Sequence, residues 1–500
     1  MKLLLILSCL CALYACSGLA TKQANPIDFE QINKQKHRLI VLADMGNEED
    51  EMQQMMHLLM YANEIDIEGL IAVSGKFLHH GRHEGRHYKN ELHPELLHEL
   101  VDGYKKVLPK LKQHADGWPE AEQLRKKIKS GTPEYGIAAV GDGKSNEGSN
   151  WILKVLERKD DRPVYIVANA GTNVLAQALT DYERRHTKAE LDALISKIIV
   201  YENGSQDDAG AWIVARYPKL HWIRSNYQTY GYMGFRRINP GPYVWPPYPN
   251  THQGQHAWAK EHIQTHHGAL GALYPDRFKG NGFLEGGGTT PWLGLITRGL
   301  YDPYKPNWGG WSGRYTAKKM LNVWSRHKDI IVNEITYKNF SVFADEKDTW
   351  THQPSGVTYS DILTPIQRWR EDILNDFKGR MDWCVETREN ANHNPVAVIN
   401  GIDKRVILRT KARTGETLTF DASDSFDPDK GQKINFSWWV YPESGTYYKY
   451  IALKNPHTAR LKFPVPKDAG GKQIHLILEV SDNSDIATMK DYRRIVIDVE

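Results

Sequence analysis

Five carboxylates crowd the stretch DMGNEEDE, residues 44–51: Asp44, Glu48, Glu49, Asp50 and Glu51. Carboxylates held this close repel one another, a bound cation is the usual remedy, and a set of hard oxygen ligands selects Ca²⁺ or Mg²⁺. The simpler reading is an acidic helix cap on a solvated turn. The flanking elements place the cluster. Leu39 to Ala43 is an unbroken apolar run of strand length, as expected of a parallel strand covered on both faces. Met52, Met55, Met56, Leu59 and Met60 recur at helical spacing, so the spacing predicts a helix opening near Asp50 with its acids at the positive end of the dipole. The acids therefore stand at the carboxyl edge of a strand, where open α/β sheets bind ligands.

Further along, PVYIVANAGTNVLAQAL (163–179) predicts a strand, a glycine turn and a helix, with Thr172 and Asn173 at its start as caps or ligands. KIIVYENG (197–204) predicts another strand, and Asp207 and Asp208 follow it on the same edge. That pair could accept sugar hydroxyls, donate a proton or cap a helix. From 226 to 274 the composition turns to Tyr, Trp, Pro, Gly and His, and flat rings beside polar groups suit a sugar. Tyr243, Trp245, Tyr248, His252, His256 and Trp258 are its candidate wall residues, with Glu48, Asn173 and Trp308 as further substrate contacts. His79, His83 and His87 have helical spacing, but no accompanying cysteine or acid motif makes a zinc site of them.

Asp44, followed after a glycine turn by Asp50 and Glu51 opening a helix, resembles the aspartate cluster of the inosine-uridine nucleoside hydrolases. DMGNEEDE, YANEIDIEGLIAVSG (61–75), ANAGTNVLAQAL (168–179) and QDDAGAWI (206–213) more closely resemble a bacterial family of cellulose-binding proteins with a nucleoside-hydrolase-like domain. The likeness covers about residues 37–390, with a matching C-terminal module. It implies a catalytic Ca²⁺ held by Asp44, Asp50, Glu51 and the backbone carbonyl of Thr172. Asp44 would be the general base, and the proton donor would come from Asp207, Asp208, His252 or His256. Where the nucleoside hydrolases carry another aspartate ligand, this chain has Glu285 followed by GGGTTP. Either Glu285 takes that role or the metal site is weakened. The leaving-group histidine has no clear counterpart. Two functions follow as expectations: a Ca²⁺-dependent hydrolase of glycosidic bonds, or a non-catalytic glycan-binding protein.

The length of 500 residues predicts two domains. The first, 25–392, is expected to be an α/β unit with a mostly parallel sheet and flanking helices. The second, 394–500, shows short alternating strands and reads as a small antiparallel β-sandwich of the Ig or polycystic-kidney-disease type. There the aspartates of DASDSFDPDKG would cap a turn or bind a structural Ca²⁺. Of the adjacent Trp438 and Trp439, one should enter the core and the other face a glycan or the first domain. Lys and Arg total 64 against 61 Asp and Glu, a balance that leaves no electrostatic footprint for nucleic acid. Residues 1–16 read as an export signal, with LYAC a loose lipoprotein signal at Cys16. The protein is expected to be periplasmic, an outer-membrane lipoprotein or extracellular, touching a membrane only through that anchor, with a carbohydrate as its partner. After removal of the signal only Cys384 accompanies Cys16, so no internal disulfide framework is expected.

Overall fold

The computed structural model describes residues 27–76, 78, 91–204, 206–233, 248–249, 253, 256–276, 285–319 and 341–500. Among the described residues nine strands precede residue 346: β1 (Glu30–Ile32), β2 (Arg38–Ala43), β3 (Asp66–Ala72), β4 (Ile128–Ser130), β5 (Val164–Ala168), β6 (Ile198–Asn203), β7 (His221–Ser225), β8 (Tyr315–Lys319) and β9 (Ser341–Asp345). All but β1 form one sheet in the order β4-β3-β2-β5-β6-β7-β9-β8. Every pairing in it is parallel except β8 with β9.

Alternate residues of β2 feed two cores. Leu39, Val41 and Ala43 pack in one with Met55, Met56 and Leu59 of the helix Glu49–Leu59. Ile40 and Leu42 pack in the other with Ile152, Leu153, Val174 and Leu175, from the helices Glu147–Leu156 and Thr172–Glu183. A strand with helices on both faces must be apolar throughout, and each such side chain contributes about 1.5–3 kcal/mol on burial. Helices therefore cover both faces, and the loops at the carboxyl edge are left to carry function.

Beyond the hairpin of β10 (Asp348–His352) and β11 (Val357–Asp361) and the helix Arg370–Asp382, the chain becomes all β. Its strands are β12 (Ile407–Ala412), β13 (Thr417–Asp421), β14 (Asn435–Val440), β15 (Arg460–Pro464), β16 (Gln473–Ser481) and β17 (Lys490–Val499). A sheet ordered β1-β12-β17-β16-β14 faces the pair β13-β15. Two features depart from a purely antiparallel module at 394–500. β12 runs parallel to β17, and the N-terminal β1 crosses over to pair with β12. Phe420, Trp438, Leu461, Phe463, Leu476 and Ile495 fill the core between the layers.

The opposite face of the larger sheet rests on the α/β part. Tyr441, Ile477 and Tyr492 join the core of the first domain. Arg494 donates to the carbonyls of Leu300 (2.7 Å) and Gly309 (2.9 Å). The adjacent tryptophans divide as their alternation requires: Trp438 is core, while Trp439 packs on Trp369 with the Arg368 guanidinium 4.4 Å from its ring centre. In DASDSFDPDKG, Asp421 binds the Ser423 amide and Arg460, and Asp429 binds His393, which is the turn-capping arrangement. Cys384 is a buried free thiol. Among the described residues no helix is long and apolar enough to cross a membrane.

Candidate functional site

β2 delivers Asp44 to the carboxyl edge with its side chain fully buried. The turn that follows is held by the Asn47 amide on the Asp44 carbonyl (3.1 Å), and Gly46 adopts φ +87°, a conformation few other residues tolerate. Asn47 Nδ2 donates to Asp44 Oδ2 at 3.1 Å, while Asp44 Oδ1 has no hydrogen-bond partner among the described residues. Glu48 then caps the helix, and Glu51 reaches back to the Glu48 amide at 3.3 Å to close a capping box. Burial, reinforced by the charges of Asp50 and Glu48, pushes the Asp44 carboxyl up to about 7. Burial and the same cluster push Glu51 well above the usual carboxylate range. Both readings of the acidic turn are thus present at once: a helix cap, and carboxylates whose charges are crowded.

Sequence reasoning missed the continuation of this edge. At the end of β6, and directly after the ends of the adjacent β2, β5 and β7, stands an oxygen acceptor: Asn203, and Asp44, Asn169 and Asn226. All four are buried, and in each the side-chain Oδ1 lacks a hydrogen-bond partner among the described residues. The four strands are neighbours in the sheet, so these four residues form a row along its carboxyl edge, with Asn169 and Asn203 level and Asp44 and Asn226 one residue further on. Leaving a buried acceptor unmet costs about 1–3 kcal/mol, and such a row calls for a ligand with several O–H donors or for a hard cation. The signal was in the sequence as asparagine closing the apolar runs VYIVAN and IIVYEN.

The glycines after Glu285 explain how the edge is closed. A methyl group on Gly286 would lie 1.5 Å from Asp50 Oδ2, one on Gly287 would lie 2.6 Å from the Asn203 amide, and one on Gly288 would lie 1.5 Å from Gln54 Oε1. Only backbone fits there. Glu285 itself, with φ +42°, turns its carboxylate to His57 Nδ1 (3.0 Å), Tyr274 Oη (3.4 Å) and Thr289 Oγ1. A carboxylate so engaged is committed to the core around His57 rather than to the acidic turn, which corrects the expectation of a fifth metal ligand.

Asp207 and Asp208 correct a second expectation, that of a free proton donor. Asp207 accepts from Thr172 Oγ1 and from the amides of Ala209 (3.0 Å) and Asn173 (3.4 Å), tying two helix starts together. Burial, with Asp208 and Glu202 adding repulsion, pushes it up to about 7. Asp208 accepts from the Ile137 amide at 2.7 Å and caps that short turn. Thr172 opens its helix and Asn173 donates to the Glu134 carbonyl at 3.0 Å.

Trp308 is no substrate wall. It is 5% exposed and packs edge-on against His475 of the β-domain, 4.9 Å between ring centres. Tyr248 is buried, stacked on Tyr359 at 4.5 Å. His256 lies 3.5 Å from Asp276, and Trp258 lines a surface cavity of about 450 Å³ with Gln253, Glu261, His262, Asn375 and Lys378. None of these is a residue of the acidic turn. Tyr243, Trp245 and His252 lie outside the described residues, as do His79, His83, His87 and the N-terminal segment 1–26.

Among the described residues, no group of three or more His, Cys, Asp or Glu side chains is arranged to hold a metal ion. The type of donor nonetheless fits a hard cation. Asp44 offers a buried oxygen with no partner among the described residues, and Asp50 and Glu51 crowd it with like charge.

Residues 38–315 match a family model described as "Cellulose-binding Sde182, nucleoside hydrolase-like domain". Residues 417–499 match one described as "Cellulose-binding protein Sde0182, C-terminal domain". A solved structure, that of a nucleoside hydrolase-related hypothetical protein from Saccharophagus degradans associated with carbohydrate metabolism, is 31% identical with a TM-score of 0.78. The likeness spans 93% of this chain and 100% of that one. No curated protein matches the chain.

Proposed function

The chain belongs to the cellulose-binding protein family with a nucleoside hydrolase-like domain, and from that premise we propose that it is an exported protein that binds a glycan at the acidic edge and hydrolyses a glycosyl bond there. The observation that carries this reading is the row of unpartnered oxygens on Asp44, Asn169, Asn203 and Asn226. A sugar presents several hydroxyl donors, so buried acceptors would gain partners on binding. Export, which the segment 1–16 leads one to expect, fits a polysaccharide fragment better than a salvaged nucleoside.

Asp44 is the residue for the chemistry. It stands buried at the carboxyl edge with one carboxylate oxygen unpartnered among the described residues, placed to accept a proton. It would take one proton from water as that oxygen bonds to the anomeric carbon, while the bond to the leaving group breaks and the departing oxygen takes a proton from solvent, to which Asp44 then returns its own. Ca²⁺, for which Asp44, Asp50 and Glu51 with the Thr172 carbonyl are the proposed ligands, would supply positive charge for paired sugar hydroxyls and for acidifying water. Asn169, Asn203 and Asn226 would orient the sugar.

Sugar release from a panel of soluble oligosaccharides and nucleosides, by the parent and by Asp44→Asn, tests this. The parent should release sugar and the variant should lose at least about a hundredfold in rate. No release by the parent from any of them removes the catalytic half of the proposal. A second reading, binding without catalysis, is favoured by one specific observation: Glu285, Asp207 and Asp208 are all committed to structural hydrogen bonds.

A further inference from the structure

We propose that the β-domain carries a second glycan site, a platform formed by Tyr448 and Tyr450, that takes a neutral β-linked glucan chain at the surface of insoluble cellulose. The proposal deepens the carbohydrate reading above and rests on it for the class of ligand.

Among the large hydrophobic side chains described as exposed, these two stand out, Tyr450 at 88% and Tyr448 at 72%, with Phe426 next at 51%. A single exposed aromatic needs no explanation. Two of them flanking one lysine, on a segment fixed from both sides, do. Tyr447 and Ile451, which bracket the pair, are buried in the β-domain core. Tyr447 Oη donates to Asp468 Oδ1 at 2.8 Å and Lys449 Nζ to Asp468 Oδ2 at 2.5 Å. The backbone is anchored as well: the Thr446 and Tyr447 amides donate to the Gln473 carbonyl at 2.9 and 3.3 Å, and the Gln473 amide donates to Thr446 Oγ1 at 2.8 Å. Tyr447 and Lys449 share one carboxylate, and the neighbouring rings of Tyr448 and Tyr450 are left to solvent.

Apart from Phe426, the domain's large aromatics are mostly employed already. Trp438 and Phe420 stack in its core, and Trp439, Tyr441 and Tyr492 face the α/β part. Tyr448 and Tyr450 serve neither purpose. They lie within residues 417–499, the segment that matches the C-terminal family model. Their chemistry selects the ligand. Phenol rings offer a flat apolar face to the axial C–H groups of a pyranose and an O–H at the rim. Lys449, the charge between them, is neutralised by Asp468, so the platform gives no attraction for an acidic polysaccharide and suits a neutral one. Such a site would hold the protein on its substrate while the acidic edge works on a nearby chain.

Adsorption of the full-length protein to microcrystalline cellulose is the test, with the parent, Tyr448→Ala/Tyr450→Ala and Tyr448→Phe/Tyr450→Phe compared. Both variants alter exposed side chains and should melt within about 2 °C of the parent. The alanine pair should lower the partition constant about tenfold or more, and the phenylalanine pair, which keeps the rings, should stay within about threefold. Equal adsorption of the alanine pair and the parent overturns the proposal, and so does a parent that does not adsorb. Sugar release from a soluble oligosaccharide, assayed in parallel, reports on the acidic edge alone, so failure of the platform and failure of the catalytic reading are told apart.

Discussion

Gly286 stands against Asp50 so closely that a methyl group in place of its hydrogen would come within 1.5 Å of Oδ2. The glycine after Glu285 is thus what lets Asp50 keep its place at the acidic edge. Two neighbouring glycines do the same for Asn203 and for Gln54 with Asn169.

Gly286→Ala should therefore displace the Asp50 carboxylate. Overpacking of this kind costs about 1–3 kcal/mol, read as a lower melting temperature, and any ligand-dependent gain in stability should shrink with it. A variant that melts and responds to ligand as the parent does would show that the loop yields without moving Asp50.

Glu285→Gln separates a core carboxylate from a metal ligand. Because Glu285 accepts from His57, Tyr274 and Thr289, its replacement should cost about 1–3 kcal/mol of stability while leaving a Ca²⁺-dependent melting shift unchanged. Loss of that shift, with stability retained, would restore Glu285 to the ligand set.

His475 makes the junction between the domains sensitive to acid. It is fully buried, its Nδ1 faces Arg494 at 2.8 Å and its Nε2 faces Gln473 at 2.9 Å. Burial first, then Arg494 and Arg409, hold it well below the ordinary histidine value. Its pKa is depressed in the fold, so only the unfolded chain takes up the proton below about pH 6.5, and stability falls as pH falls through that value. Between pH 7.5 and 5.5 the parent should lose about 1 kcal/mol more than His475→Gln in denaturant melts, once the variant's own pH dependence is subtracted. Parallel curves would mean that the histidine stays neutral in both states.

The acidic turn was legible because its signals are local: an apolar strand, five acids and a helical methionine stripe lie within about two dozen residues. The strands near 39–43, 163–168 and 197–204 and the helices that open near Asp50 and Thr172 followed from the same alternation of periods, whereas the short edge strand Ile128–Ser130 did not. What escaped is set by contacts distant in sequence. Glu285 is turned to His57, 228 residues away, by a backbone conformation that a side-chain pattern does not announce. Trp308 looked like a sugar platform on flexible glycines, and only the position of the β-domain shows that His475 covers it. Asp207 and Asp208 carried equal promise as acids and as caps, and the strand-to-helix turns used both as caps. Asn169, Asn203 and Asn226 read singly as turn residues, and become a row only when β5, β6 and β7 are laid side by side. Tyr448 and Tyr450 were hidden in a YYKY run whose first tyrosine is buried.

The central claim, that the acidic turn is a cation-dependent ligand site and not a helix cap alone, is tested most directly by thermal melts of the parent and Asp50→Asn, each with Ca²⁺ and with chelator. Binding to the folded state alone adds about 2.7 kcal/mol at a hundredfold excess over the dissociation constant, a shift of several degrees or less in a protein of this size. The account predicts that Ca²⁺ raises the melting temperature of the parent and not of Asp50→Asn, whose chelated form stays folded because a repelling charge has been removed. A parent that melts identically with Ca²⁺ and with chelator would contradict it.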